Sequence, residues 1–119
     1  MDLEQTKANK IGALIGSFEA EISNGRDFTD GVNVLHLANE KSVSRLQTIS
    51  QLMSAGQISN SAYTIYDSNN DTFIMNETQV NTIIITASKW GLDRFNYLQS
   101  KITAVKSCND IPSVLAITY

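Results

Sequence analysis

The chain has 119 residues, of which 42% are apolar and 18% charged, as in ordinary globular domains. A net charge of −3 and a pI of about 4.9 predict no affinity for nucleic acid or an anionic membrane. The single cysteine, Cys108, excludes an intramolecular disulfide, and no signal-peptide pattern or membrane-length apolar run is visible. These features predict that the protein is made and folded in a cytoplasm.

The first predicted element is an amphipathic helix from Leu3 to Asn24, which ends at Gly25 because glycine readily adopts the left-handed conformation that stops a helix. Gly12 and Gly16 lie four residues apart inside it, and each costs about 1 kcal/mol relative to alanine. Either another backbone approaches closely there, or the helix tolerates the two glycines. The residues assigned to the apolar face are Leu3, Ile11, Leu14, Ile15, Phe18 and Ile22.

A polar turn region is predicted for residues 26–31, followed by a short strand over residues 32–37. Asn39 can cap a second helix over residues 40–55, which Gly56 closes.

A β-hairpin is predicted next. Residues 63–66 are aromatic and β-branched, as strands prefer, and residues 72–75 can form the return strand. The five residues between them, 67–71, are all Asp, Asn or Ser, which favour turns through their own side-chain hydrogen bonds.

The longest predicted element is a helix over residues 76–107, with a capping box formed by Asn76 and Gln79. Its apolar face is predicted to comprise Val80, Ile84, Ala87, Gly91, Phe95, Leu98, Ile102 and Val105. A last short helix follows, capped by Asn109 or Asp110, with Pro112 in its first turn. Its docking residues are predicted to be Val114, Leu115 and Ile117.

These elements predict a single α+β domain over residues 1–119. It has two main helices, one of them long and near the C terminus, packed with a small antiparallel sheet and a short C-terminal helix.

The acidic turn is a weak candidate for a calcium site. Asp67, Asn69 and Asp71 match the first, third and fifth positions of an EF-hand loop. Thr72 stands where that loop needs glycine, and Thr78 where it needs a bidentate glutamate. The pattern is therefore better explained as a hairpin turn, and no metal or other cofactor is predicted.

No catalytic constellation is apparent. His36, the only histidine, has no neighbouring cysteine or paired carboxylate in the sequence, which predicts a strand histidine with local hydrogen bonds. Cys108 has no cation cluster beside it and is predicted to be a half-buried structural thiol. The protein is therefore predicted not to be an enzyme.

The long helix carries more apolar side chains than one buried face needs, because Ile83, Trp90 and Tyr97 widen the stripe. Core packing is one explanation, and an oligomer contact is the other. The predicted interface residues are Ile15, Phe18, Trp90, Phe95 and Tyr97.

The order of elements resembles a small phage and prophage domain of unknown function that is associated with tail-fibre and other tail proteins. The matching segments are Asp30–Gly31 before a short strand, Tyr66–Asp71, Ile74–Glu77, the Leu98, Lys101, Ile102, Ala104 pattern and Asn109–Ile117. Where that domain commonly has a tryptophan in its middle strand, this chain has Tyr63 or Tyr66.

The resemblance implies a non-enzymatic structural component of a tailed-bacteriophage virion, located in the tail, the baseplate or the tail-fibre attachment. Its partners would be other phage tail proteins and further copies of itself, since symmetric assemblies reuse one interface. Two alternatives stay open: a tail-fibre assembly chaperone that is not retained in the particle, and a calcium-binding module that uses the Asp67–Asp71 turn.

Overall fold

A computed structural model describes residues 2–119 and confirms the α+β class. In chain order the elements are α1 (Leu3–Asn24), β1 (Arg26–Thr29), β2 (Val34–Leu37), α2 (Asn39–Ser54), β3 (Tyr63–Tyr66), β4 (Thr72–Met75), α3 (Glu77–Ser107) and α4 (Ile111–Leu115). No helix within residues 2–119 combines the length and apolar content that a membrane crossing requires.

The chain divides into two compact units. The first takes in the chain up to Glu21 together with Gly91–Tyr119, and the second is Ile22–Trp90. Helix α3 therefore contributes its first half to the second unit and its second half to the first unit. The prediction of a single domain over residues 1–119 stays a prediction.

The second unit contains two antiparallel hairpins, each a separate two-stranded sheet, where one small sheet was expected. In the first hairpin Arg26 pairs with Leu37 and Thr29 with Val34. In the second, Tyr63 pairs with Met75, and the strand bounds agree with the sequence prediction.

Strand β1 corrects the prediction of a turn over residues 26–31. Of its four residues only Phe28 is buried, so the strand has no alternating apolar pattern and is defined by its pairing with β2. The true turn lies later, because the Asp30 carboxylate accepts the backbone N–H groups of Val32 (2.8 Å) and Asn33 (2.7 Å). Val32 consequently lies outside β2 and is 79% exposed.

The core of the second unit is formed by side chains from both hairpins, α2 and the first half of α3. Its buried members are Phe28, Leu35, Leu37, Leu46, Met53, Ile65, Met75, Val80, Ile83 and Ala87. The capping box that orients α3 is confirmed: Asn76 Oδ1 accepts the N–H of Gln79 (2.8 Å), and Gln79 Oε1 accepts the N–H of Asn76 (2.9 Å).

Two residues with positive φ flank the first hairpin, one before β1 and one after β2. Gly25, at φ 74°, ends α1 as predicted, and a Cβ atom there would lie 2.3 Å from the carbonyl oxygen of Leu37. Asn39, at φ 64°, opens α2, and its side-chain oxygen accepts the N–H of Lys41 at 2.9 Å.

In the first unit α1 and α3 are antiparallel, since Lys7 contacts the carbonyl of Lys106 while Glu21 contacts Arg94. The buried residues of this core are Leu14, Leu98, Ile102, Val105 and Val114. Asp110 caps α4 by accepting the N–H of Ser113 at 2.8 Å.

One prediction for the first unit needs correction. Leu115 does not dock on the core, because it is 60% exposed on α4. Of the two explanations for Gly12 and Gly16, the structure favours a helix that tolerates them, since a Cβ atom at either position would have nothing within 4 Å among residues 2–119.

Candidate interaction surface

The acidic turn between β3 and β4 is organised by the carboxylate of Asp67, which is only 5% exposed. Its Oδ1 accepts the N–H groups of Asn69 (2.9 Å) and Asp71 (3.0 Å), closing the turn. Its Oδ2 accepts the N–H of His36 in β2 at 3.0 Å. The turn of the second hairpin is therefore fastened to a strand of the first.

The hydrogen bonds of Asp67 affect whether Asp67, Asn69 and Asp71 could bind calcium. The carboxylate of Asp67 faces three backbone donors, whereas a calcium ligand must direct its lone pairs at the cation. Asn69 and Asp71 are exposed, and residues 2–119 contain no group of three or more His, Cys, Asp or Glu side chains that could hold a metal. The arrangement is that of a hydrogen-bonded hairpin turn.

His36 makes the local hydrogen bonds predicted for a strand histidine. Its Nδ1 lies 2.8 Å from Asp27 Oδ1, and its Nε2 lies 3.0 Å from the carbonyl oxygen of Asn24. Cys108 is half-buried as predicted, and its thiol contacts the carbonyl oxygen of Ala104 at 3.2 Å.

Half-buried rings with contacts inside the chain are found at Trp90 and Tyr97, two of the five predicted interface residues. Trp90 is half-buried against the core of the second unit and meets Phe28 edge to face, with ring centroids 5.8 Å apart. Tyr97 meets Tyr119 in the same manner at 5.3 Å, and the Arg94 guanidinium lies 4.3 Å from its ring centroid. Both side chains keep part of their surface exposed, and their role as interface residues stays a prediction.

The contacts around Arg94 belong to a polar cluster that the sequence did not indicate. Arg94 Nε donates to Glu21 Oε1 at 2.7 Å, and the Tyr119 hydroxyl donates to the same oxygen. Burial alone would raise the pKa of Glu21, but the hydrogen bonds from Tyr119 and Arg94 outweigh it and lower that pKa. The cluster fastens the last residue of the chain to α1 and α3.

The other three predicted residues include an aromatic pair that joins α1 to α3. Phe18 of α1 and Phe95 of α3 meet edge to face, with ring centroids 6.2 Å apart. Ile15, one turn before Phe18, is 37% exposed, and Phe95 is 46% exposed. Leu92, one turn before Phe95, is 59% exposed. We name Ile15, Phe18, Leu92 and Phe95 the α1–α3 patch.

Helix geometry explains why the predicted interface residues of α3 do not all lie on one side of the helix. Successive residues are turned by about 100°, so side chains two positions apart, such as Phe95 and Tyr97, point to different sides of α3. Leu92 is not among the predicted interface residues, although its place one turn before Phe95 is visible in the sequence.

Comparisons with known proteins return no relatives. No protein-family model matches the chain, and no curated protein and no solved structure is significantly similar to it.

Proposed function

We propose that this protein is a non-enzymatic structural component of a tailed-bacteriophage virion, located in the tail, the baseplate or the tail-fibre attachment. The location rests on the resemblance in the order of elements. The mode of action, protein–protein contact, is supported by one observation: the α1–α3 patch leaves two large apolar side chains, Leu92 and Phe95, about half exposed.

The patch has the properties of an interface anchor. Phe95 is held against Phe18 from within the chain, so a partner would meet an aromatic ring that is already oriented. Burial of apolar surface favours association, and large aromatic side chains dominate the energetics of interfaces because each of them buries a large area. A second copy of the chain or another tail protein would be the partner.

The first alternative, an assembly chaperone, would use the same patch and leave before the particle is complete. The second alternative, a calcium-binding module, has weaker support because the oxygens of Asp67 already accept three backbone N–H groups.

The test is photo-crosslinking in cells that produce the phage, with p-benzoylphenylalanine replacing Phe95. The matched control replaces Tyr66, which is 57% exposed on the β3–β4 hairpin and lies outside the patch. The proposal expects crosslinks to a tail protein or to a second copy from position 95, and few or none from position 66.

Mass spectrometry of purified virions then separates the structural and chaperone roles. A structural component is present in the particles at a fixed ratio to known tail proteins. A chaperone gives the crosslinks in cells but is missing from purified particles. No crosslink from position 95, together with absence from the particles, would overturn both roles.

A further inference from the structure

Both ring nitrogens of His36 face hydrogen-bond acceptors. Nδ1 lies 2.8 Å from the carboxylate of Asp27 in β1, and Nε2 lies 3.0 Å from the carbonyl oxygen of Asn24, the last residue of α1. A neutral imidazole carries a single N–H, so it can donate to only one of these oxygens. Only the doubly protonated imidazolium satisfies both contacts at once.

The surroundings of the ring favour that positive charge. Asp27 supplies a carboxylate from β1, and Asp67 supplies a second one from the turn between β3 and β4. The third contacting element, α1, presents the carbonyl oxygen of Asn24 at its C terminus, where the partial charge of the helix is negative. The hydrogen bond to Asp27 raises the pKa of His36 above its ordinary value, and partial burial opposes this rise less strongly.

We propose that His36 is a pH-operated clamp that fastens the C-terminal end of α1 to the β1–β2 hairpin. In the imidazolium form the ring donates to Asp27 and to Asn24, so the end of the helix and both strands are joined through one side chain.

Loss of one ring proton from the imidazolium breaks one of its two hydrogen bonds. The remaining N–H stays on Nδ1, because the carboxylate of Asp27 is a stronger acceptor than a peptide carbonyl. The lone pair of Nε2 then faces the carbonyl oxygen of Asn24, and two acceptors repel each other. The contact with α1 is released, while the pairing of β1 with β2 is kept.

Deprotonation of His36 affects only the C-terminal end of α1. The last residues of α1 are exposed at Ser23 and Asn24, and the helix ends there at Gly25. Exposed helix ends open locally at little cost, so a single side-chain contact can control their order. Release of Asn24 therefore increases fraying of α1 without unfolding the hairpin.

The test is nuclear magnetic resonance on the full chain, in which one histidine gives one unambiguous set of ring signals. We expect His36 to titrate above its ordinary pKa, with the neutral ring protonated on Nδ1. Amide hydrogen exchange, corrected for its intrinsic pH dependence, should show that protection at Ser23 and Asn24 falls several-fold between about pH 5 and about pH 8.

Two variants isolate the role of the ring. In His36→Gln the protection at Ser23 and Asn24 should no longer change with pH, because glutamine does not titrate. In Asp27→Asn the pKa of His36 should fall, and the pH at which protection is lost should fall with it. The second variant keeps the histidine, so it tests the clamp even where His36→Gln folds poorly.

The proposal is overturned if His36 titrates at its ordinary pKa, or if protection at the end of α1 does not change with pH. It is equally overturned if the same change persists in His36→Gln, or if the midpoint of the protection change does not follow the histidine pKa in Asp27→Asn.

Discussion

Phe18 and Phe95 meet with their ring planes at 70° and their centroids 6.2 Å apart, so α1 and α3 share an edge-to-face aromatic pair. This geometry is worth about 0.5 to 1.5 kcal/mol beyond the area that it buries. Phe95 is nevertheless 46% exposed. One side of its ring therefore packs within the chain, and the other side is accessible to a partner.

The first prediction concerns the stability of this pair. Phe95→Ala should lower the free energy of unfolding by about 1 to 2 kcal/mol, because only about half of the side chain is covered by the chain itself. Leu92→Ala, at a more exposed position on the same helix, should change it by about 0.5 kcal/mol or less. Urea denaturation of both variants measures this difference. A loss near 4 kcal/mol for Phe95→Ala would mean that the ring belongs to the core and is not available to a partner.

Alanine substitution of two glycines distinguishes the energetic cost of a left-handed backbone conformation from the cost of a steric collision. Gly25 and Gly56 have nearly the same φ, 74° and 73°, but only Gly25 would bring a Cβ atom against another backbone. Gly56→Ala should therefore cost about 1 kcal/mol from the left-handed conformation alone. Gly25→Ala should cost about 2 to 4 kcal/mol, since the new methyl group collides with Leu37 as well. Thermal unfolding of the two variants, compared at one pH, gives the result. Equal losses would show that the Leu37 backbone moves aside easily.

The cluster of Glu21, Arg94 and Tyr119 predicts a loss of stability in acid. The folded-state pKa of Glu21 is lowered, so its stabilisation is fully present above the ordinary pKa of a glutamate. That stabilisation is lost as the pH falls through the folded-state pKa. Tyr119→Phe removes one donor to the carboxylate and should cost about 1 kcal/mol near neutral pH, a modest value because the Glu21 side chain is 34% exposed.

The pH dependence of the stability lost in Tyr119→Phe distinguishes the hydrogen bond to Glu21 from packing of the Tyr119 ring. The difference between the wild type and Tyr119→Phe should shrink between about pH 7 and about pH 3, because a protonated Glu21 is a weaker acceptor. Tyr66→Phe, at an exposed position on β3, should leave the stability unchanged at both pH values. A Tyr119→Phe cost that is the same in acid would assign the effect to packing of the ring against Tyr97.

The last prediction concerns the buried carboxylate of Asp67. Asp67→Ala should lower the free energy of unfolding by about 2 kcal/mol, because it leaves the N–H groups of His36, Asn69 and Asp71 without their acceptor. The control is Asp71→Ala, in which an exposed side chain of the same turn is removed, with a cost of about 0.5 kcal/mol or less. Denaturant titration measures both variants.

Calcium provides a second readout on the same turn. Addition of calcium to the wild type should leave the melting temperature unchanged, because the Asp67 oxygens are already engaged. A rise in melting temperature that Asp67→Ala abolishes would favour the calcium-binding module over the structural turn.

Local signals in the sequence determined much of the fold. The bounds of α1 and of the β3–β4 hairpin, and the capping box that begins α3, depend on periodicity and on side chains within four residues of each other. Such contacts are nearly the same in any fold that contains the element, so they can be inferred before the fold is known. The same holds for Gly25, whose position after an apolar-periodic segment indicates a helix end.

Only the tertiary structure decided the remainder. Strand β1 is polar apart from Phe28 and exists because β2 pairs with it. Glu21 meets Tyr119 across 98 residues, and the buried carboxylate of Asp67 meets His36 across 31 residues. The exposure of each aromatic residue of α3 likewise depends on which neighbours cover each side of the helix. Contacts of this kind depend on how the whole chain distributes burial, and no short stretch of sequence carries that information.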